Sequence, residues 1–262
     1  MDLQYSIGID SGSQNTKAVL LQDRKIIGTA SVSTEFDALE AAGKVFSELL
    51  STYAVERSQV ARITATGTGR SLVSFADATV NEIISAAAGS RFMVSDADMV
   101  LDMGAEASRV IAMDEDGMAK TYEINDRCAS GAGTFIETVA RALQIAPDQM
   151  GDYALQADKD IMLKAQCVVF VESEVISLIH QKETRENIAN GVHNGISNRL
   201  CSMFRRLGIG DKIVFIGGPS LNKGLVKSLS HELDRQVIVP DYSPYLSAVG
   251  AVLTSEKAVF PK

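Results

Sequence analysis

Two octapeptides of this chain carry the residue types that phosphate chemistry needs. DSGSQNTK (residues 10–17) and DMGAEASR (residues 102–109) each begin with a carboxylate, place glycine third and end on a cation. Asp10 matches Asp102, Gly12 matches Gly104, Ser13 matches Ala105 and Lys17 matches Arg109, all at one constant offset. In the first stretch Gly12 permits close backbone approach, and Ser13, Asn15 and Thr16, with Gln14 among them, offer polar contacts. Lys17 can meet phosphate charge, and Asp10 can hold Mg²⁺ through water, as that ion prefers. Asp102 with Gly104 and Ala105 would close on the same phosphates from a second turn. GGPS (residues 217–220) is a glycine turn between an apolar run and a helix; its Gly217, Gly218 and Pro219 suit the back of an adenosine. Neither G-x-x-x-x-G-K-[ST] nor a helix-opening G-x-G-x-x-G after a strand occurs.

A second kind of chemistry sits in CASGAG, residues 128–133, where Cys128 precedes the glycines Gly131 and Gly133 and the helical run TFIETVARAL. Cys167 likewise lies ahead of a helical run, ESEVISLIHQ. Three cysteines, an odd number and widely spaced, do not suggest a disulfide framework. Cys201 lies beside Leu200 on the apolar side of a helical stretch and reads as core. His180, His193 and His231 show no metal-ligand spacing and read as surface or packing residues.

The elements that must position these groups follow from periodicity. IGIDSGSQNTKAVLL followed by QDRKIIGTA, and MVLDMGAEASRVIAM followed by DEDGMAKTY, each read as three strands joined by tight turns. EFDALEAAGKVFSELLSTYAV places Leu39, Ala42, Val45, Phe46 and Leu49 on one helical face. ARITATGTGR reads as a strand entering a glycine turn, and NEIISAAAGSRFM as a helix. Val192, Ile196, Leu200, Phe204 and Leu207 recur at helical spacing, KIVFIGGPSLNKG is strand, turn and helix, and QVIVP opens a last strand–loop–helix segment. This alternation gives an α/β class, and the repeat gives two related domains facing each other. The expected division is 1–94 for the first domain, with the C-terminal helix 245–262 packing back on it, and 95–244 for the second, which carries Cys128 and Cys167.

A net charge of −8 disfavours a nucleic-acid partner held by counterion release. Hydrophobic residues make up 46 % of the chain, but no apolar run is long enough to span a bilayer and no export signal opens the sequence. A soluble, cytoplasmic location is the expectation.

Together the paired hairpins and the glycine turn resemble the actin/Hsp70/sugar-kinase superfamily, which implies two duplicated actin-like (ribonuclease H-like) ATPase domains with an inter-domain nucleotide cleft. NDRCASGAGTFIETVAR and CVVFVESEVISL narrow the likeness. They look like the signature stretches of the activator ATPases of 2-hydroxyacyl-CoA dehydratases, a family that includes the ATPase subunits of benzoyl-CoA reductase. The similarity runs from GIDSGS through TATGTGR to SPYLSAVGA.

The resemblance implies ATP/ADP and Mg²⁺ as ligands, and a homodimer bridged by one [4Fe–4S] cluster held by Cys128 and Cys167 of both copies. A four-thiolate cluster needs four cysteines, and two copies of this pair supply them. The implied activity is an ATPase that takes an electron from a ferredoxin or flavodoxin and passes it to a partner iron–sulfur dehydratase or reductase. A subunit of a benzoyl-CoA reductase-like complex and a small-molecule (sugar) kinase of the same superfamily are the alternatives.

The family usually reads Asp-x-Gly-Gly-Gln-Asp at the second hairpin. Here Ala105, Glu106 and Ala107 stand in its last three places. Glu106 brings negative charge towards the phosphates or orients the attacking water. Glu106 and Glu172 are the candidate catalytic carboxylates beside Asp10 and Asp102, and Glu172 can equally be a first-turn helix residue favoured by the dipole.

Overall fold

The computed structural model describes residues 4–125, 132–161, 163 and 168–259. They fall into two compact units. One comprises the described residues within Met1–Ala97, Met113–Lys120 and Pro244–Lys262, the other those within Asp98–Ala112 and Thr121–Ser243.

In the first unit, β1 (Tyr5–Ser11), β2 (Asn15–Gln22) and β3 (Lys25–Ser33) form an antiparallel meander. Helix α1 (Ala38–Thr52) follows, then β4 (Val60–Thr66), β5 (Ala78–Thr79) and α2 (Glu82–Met93). Strands β4 and β5 extend the sheet in parallel from β1, giving the order β3-β2-β1-β4-β5. Asp37 starts α1 by accepting the amides of Leu39 and Glu40 at 2.9 and 3.0 Å. Ala42, Val45 and Leu49 of the expected apolar face are buried and Phe46 packs beside them, whereas Leu39 is 41 % exposed. Leu39 sits in the first turn of α1.

The second unit repeats the plan with β6 (Met99–Met103), β7 (Ser108–Met113) and β8 (Ala119–Asn125). Then come α3 (Gly133–Leu143), α4 (Met150–Leu155), α5 (Val168–His180), α6 (Arg185–Leu207), β9 (Ile213–Ile216), α7 (Lys223–Leu233), β10 (Val237–Ile238) and α8 (Leu246–Val259). Its sheet runs β10-β9-β6-β7-β8, the order of the first sheet read from the other end. Two five-stranded mixed sheets of one topology thus realise the echo read in the sequence. Helix α5 starts at Val168, so Glu172 lies in its second turn rather than its first. Val171 and Val175, four apart, are both buried, the spacing of one helix face. Among the described residues no helix is long and apolar enough to cross a membrane.

Helix α8 belongs to the first unit, where it packs on α2, β1 and β4. The approach is backbone to backbone. A Cβ on Gly250 would collide with Ser85 O and stand 2.6 Å from Gly89 N, and one on Gly89 would collide with Leu246 O. Glycine here is a packing requirement, not a conformational one.

In the second unit α6 and α7 meet at a fully buried histidine. Asn222 caps α7 by accepting the Leu225 amide on Oδ1 at 3.0 Å, which turns its Nδ2 towards His193 Nε2, also at 3.0 Å. The imidazole therefore accepts at Nε2 and carries its proton on Nδ1. Burial lowers its pKa to about 4.

Two stability outcomes follow. Gly250→Ala should cost about 1–3 kcal/mol through overpacking, while Gly43→Ala, in α1 with nothing within 4 Å of its new methyl, should gain about 0.5–1 kcal/mol; urea denaturation of both variants checks this. Because the native state excludes a proton from His193, that contribution is intact above pH 6.5 and is lost as pH falls towards 4. Wild type should lose about 2 kcal/mol more than His193→Gln between pH 7 and pH 5, read as the difference in the pH dependence of their denaturation midpoints.

Candidate functional site

Each unit builds a hairpin whose last pairs set a carboxylate opposite a cation. In the first, Asp10 pairs with Lys17 and Ser11 with Thr16. In the second, Asp102 pairs with Arg109 and Met103 with Ser108. The sequence offset is therefore also a register identity. Asp102 is buried, and Arg109 Nη1 stands 3.4 Å from its Oδ2.

The turns are held by their own carbonyls. Gly12 is needed at its position because a Cβ there would stand 2.7 Å from Asn15 O. Ser13, Gln14 and Asn15 are exposed on the turn. Thr16 is buried, its hydroxyl 2.9 Å from that of Thr34. Thr34 also donates its hydroxyl to Gly12 O at 2.8 Å and its amide to Gln14 O at 3.0 Å. In the second hairpin Gly104 N donates to Ala107 O at 2.8 Å, and Glu106 is exposed at the tip.

A glycine closes each hairpin from the neighbouring parallel strand. Asp10 is level with Thr66 of β4, and Asp102 with Ile216 of β9. The next residues, Gly67 and Gly217, both take left-handed backbone, at φ +88° and +94°. A Cβ on Gly67 would stand 2.5 Å from Asp10 Oδ1 and from Ser11 O, and one on Gly217 would meet the Met103 backbone. Gly69 donates its backbone N–H to Ser11 O at 2.9 Å, and Arg70 Nη1 ties the loop to Gly67 O at 2.9 Å and Glu82 Oε2 at 2.6 Å. Gly217 is fixed by Ser220, whose hydroxyl bonds Gly217 O at 2.6 Å and the Ser243 hydroxyl at 2.8 Å.

Within the second unit three candidate stretches meet. Gly133 N donates to Gly104 O and Thr134 N to Ala105 O, both at 2.9 Å. A Cβ on Gly133 would stand 3.2 Å from Pro219 Cγ. Gly104, Ala105, Gly133, Gly217 and Pro219 thus gather at one end of the second sheet, and Gly218 has open space at its Cα. Glu172 lies apart from these contacts, exposed on α5. Gly67, Gly69, Arg70 and Thr134 were not singled out by sequence; the signal for the first pair was TGTGR closing a strand as GGPS does.

Cys128, Gly131 and Cys167 lie outside the described residues. Cys201 is fully buried, and burial pushes its thiol up to about 12, which unfits it as a thiolate ligand. Gly67 and Gly217 are glycine because a Cβ there would collide with Asp10 and Ser11 in the first unit and with the Met103 backbone in the second.

The family model described as the BadF/BadG/BcrA/BcrD ATPase family matches residues 7–255. The activator of lactoyl-CoA dehydratase from Anaerotignum propionicum is 33 % identical over 98 % of this chain and 100 % of its own. A subunit of the benzoyl-CoA reductase from Thauera aromatica is 33 % identical over 96 % of this chain and 93 % of its own. The structure of the activator of 2-hydroxyisocaproyl-CoA dehydratase from Clostridium difficile with bound ADPNP superposes with a TM-score of 0.92 at 26 % identity, covering 99 % of both chains.

Gly67→Ala places a side chain in left-handed backbone against Ser11 O and should destabilise the protein by about 1–3 kcal/mol. Gly218→Ala, with room for its methyl, should change stability by less than about 0.5 kcal/mol. Thermal unfolding of the two variants separates the outcomes.

Proposed function

Because this chain belongs to the BadF/BadG/BcrA/BcrD ATPase family, we propose that it binds and hydrolyses ATP and spends the resulting conformational change on activating a partner iron–sulfur enzyme by electron transfer. The observation that carries this reading is the repeated hairpin, with Asp10 level with Lys17 and Asp102 level with Arg109. Two carboxylates that hold Mg²⁺ through water, each beside a cation that neutralises phosphate, form a set suited to phosphoryl transfer.

In this reading Gly12, Ser13, Gln14, Asn15 and Lys17 contact phosphate from the first turn, and Thr16 keeps that turn in shape through Thr34. Gly104 and Ala105 contact it from the second. Glu106, exposed at the tip, orients the attacking water: the water oxygen bonds phosphorus as the P–O bond to ADP breaks, ADP leaves with the bridging oxygen, and the water proton passes to the Glu106 carboxylate and on to solvent. Gly131, Gly133 and the 217–219 turn back the nucleotide.

Cys128 and Cys167 are the residues that would hold the [4Fe–4S] cluster, two thiolates from each of two copies. When bound, the cluster supplies a low-potential one-electron centre. A ferredoxin or flavodoxin is the proposed donor, and a 2-hydroxyacyl-CoA dehydratase-like enzyme the proposed acceptor. Moving a two-state switch from 1:99 to 99:1 requires about 5.5 kcal/mol of differential nucleotide affinity, which contacts from both hairpins can supply. The likeness to the Thauera aromatica reductase component supports a second reading, one ATPase subunit of a ring-reducing complex. Stoichiometric co-purification with a non-identical paralogue would favour it.

The test joins iron and sulfide quantification with ATP hydrolysis on anaerobically reconstituted protein. Cys128→Ala and Cys167→Ala should abolish iron binding, and Cys201→Ala should retain it. Asp10→Asn and Asp102→Asn should each lower kcat by roughly 10²-fold or more. Wild-type protein that binds no iron after reconstitution, or iron that persists in both cysteine variants, overturns the electron-transfer reading.

A further inference from the structure

The glycine that follows the parallel strand is clamped in the same way in both units. Gly67 O accepts the Arg70 amide and Gly217 O the Ser220 amide, both at 3.2 Å. The side chain of that same residue, three positions on, then returns to the same carbonyl. Arg70 Nη1 donates to Gly67 O at 2.9 Å, and Ser220 Oγ donates to Gly217 O at 2.6 Å. The glycine itself gives the reason. Close approach at positive φ requires it, yet it rotates more freely than any residue with a Cβ, so a second bond is needed to hold its peptide in one orientation.

The two clamps differ in chemistry. Ser220 is neutral and buried. Arg70 is charged, and the Nη1 that holds Gly67 O also donates to Glu82 Oε2 at 2.6 Å. Glu82 opens α2, a helix capped by Asn81 and packed backbone to backbone on α8. The Ser85 hydroxyl of α2 stands 2.9 Å from that of Thr66, the residue level with Asp10. Helix α2 is thus a fixed post for the loop. At the other end of the chain of contacts, Asp10 Oδ1 lies 2.5 Å from where a Cβ on Gly67 would be. The carboxylate rests on the residue that Arg70 clamps.

Resting on the function proposed above, we infer that Arg70 is a positioning residue: by tying the Gly67 peptide to Glu82 it sets the place of the Asp10 carboxylate, and with it the Mg²⁺ dependence of nucleotide binding. Arg70 is not itself a phosphate ligand in this assignment.

The test is calorimetry of ADPNP binding, once with saturating Mg²⁺ and once with EDTA, alongside ATP hydrolysis and urea denaturation. The Arg70 side chain is 32 % exposed, so Arg70→Met opens no core cavity. A merely structural role would shift the urea midpoint and the folded fraction but neither Kd of the folded protein.

Mg²⁺ should tighten ADPNP binding by wild type. In Arg70→Met that gain should shrink by roughly five- to tenfold, with the EDTA Kd altered less than about threefold and kcat lowered roughly tenfold. Because one nitrogen makes both bonds, Arg70→Lys should restore the gain. Glu82→Gln, which keeps Arg70 but withdraws the charge that holds it, should fall between the two. If Arg70→Met does not fold, Glu82→Gln carries the test. A gain that is unchanged in these variants overturns the inference, as does failure of Arg70→Lys to restore it. A larger rise in the EDTA Kd of Arg70→Met also overturns it, by making Arg70 a ligand. Wild type that binds no ADPNP, or binds it no tighter with Mg²⁺, instead overturns the ATPase reading on which the inference rests.

Discussion

At the end of each carboxylate-bearing β-hairpin, backbone of the neighbouring loop comes closer than a side chain allows. That constraint recurs in both units. Gly67 lies against Asp10 and Ser11, and Gly217 against Met103, each at a positive φ that L-residues with a Cβ rarely adopt. Each glycine follows a strand that pairs in parallel with the carboxylate's own strand, one residue past the Asp level. Hairpin and glycine loop are therefore one device, and the sheet between them sets its dimensions.

The polar groups around that device are largely satisfied within the protein. Thr34 bonds two carbonyls of the first turn and the Thr16 hydroxyl, and Ser220 bridges Gly217 and Ser243. Among the described residues Ser11 Oγ is buried without a partner. It sits beneath Gly69, where a Cβ would crowd it. Such networks hold a turn in one shape because breaking any member strands a buried donor or acceptor. The exposed tips, Ser13 to Asn15 and Glu106, are left to meet solvent or ligand.

The second hairpin differs from the first in what it holds. The first turn is braced by a strand end through Thr34. The second braces a helix, because α3 lacks a capping side chain and draws its acceptors from Gly104 and Ala105. Ala105 O takes both the Thr134 amide and the Thr134 hydroxyl.

Much of this was legible in sequence, and for definable reasons. The offset between residues 10–17 and 102–109 marked the two units as repeats of one three-strand plan, while the pairing of Asp10 with Lys17 and Asp102 with Arg109 came with the sheet register. The amphipathic spacing of α1 and α6, the core role of Cys201 and the glycine turn at 217–219 were equally local properties. Tertiary structure decided the rest. That Gly250 and Gly89 let two helices touch, that His193 is held neutral by burial, that Gly67 presses on Asp10, and that Ala105 caps α3 through Thr134 all depend on residues far apart in the chain. Composition and periodicity record which face of an element is buried. They do not record which distant backbone it meets, and steric and hydrogen-bond demands at those meetings are set only when the sheets and helices have closed on one another.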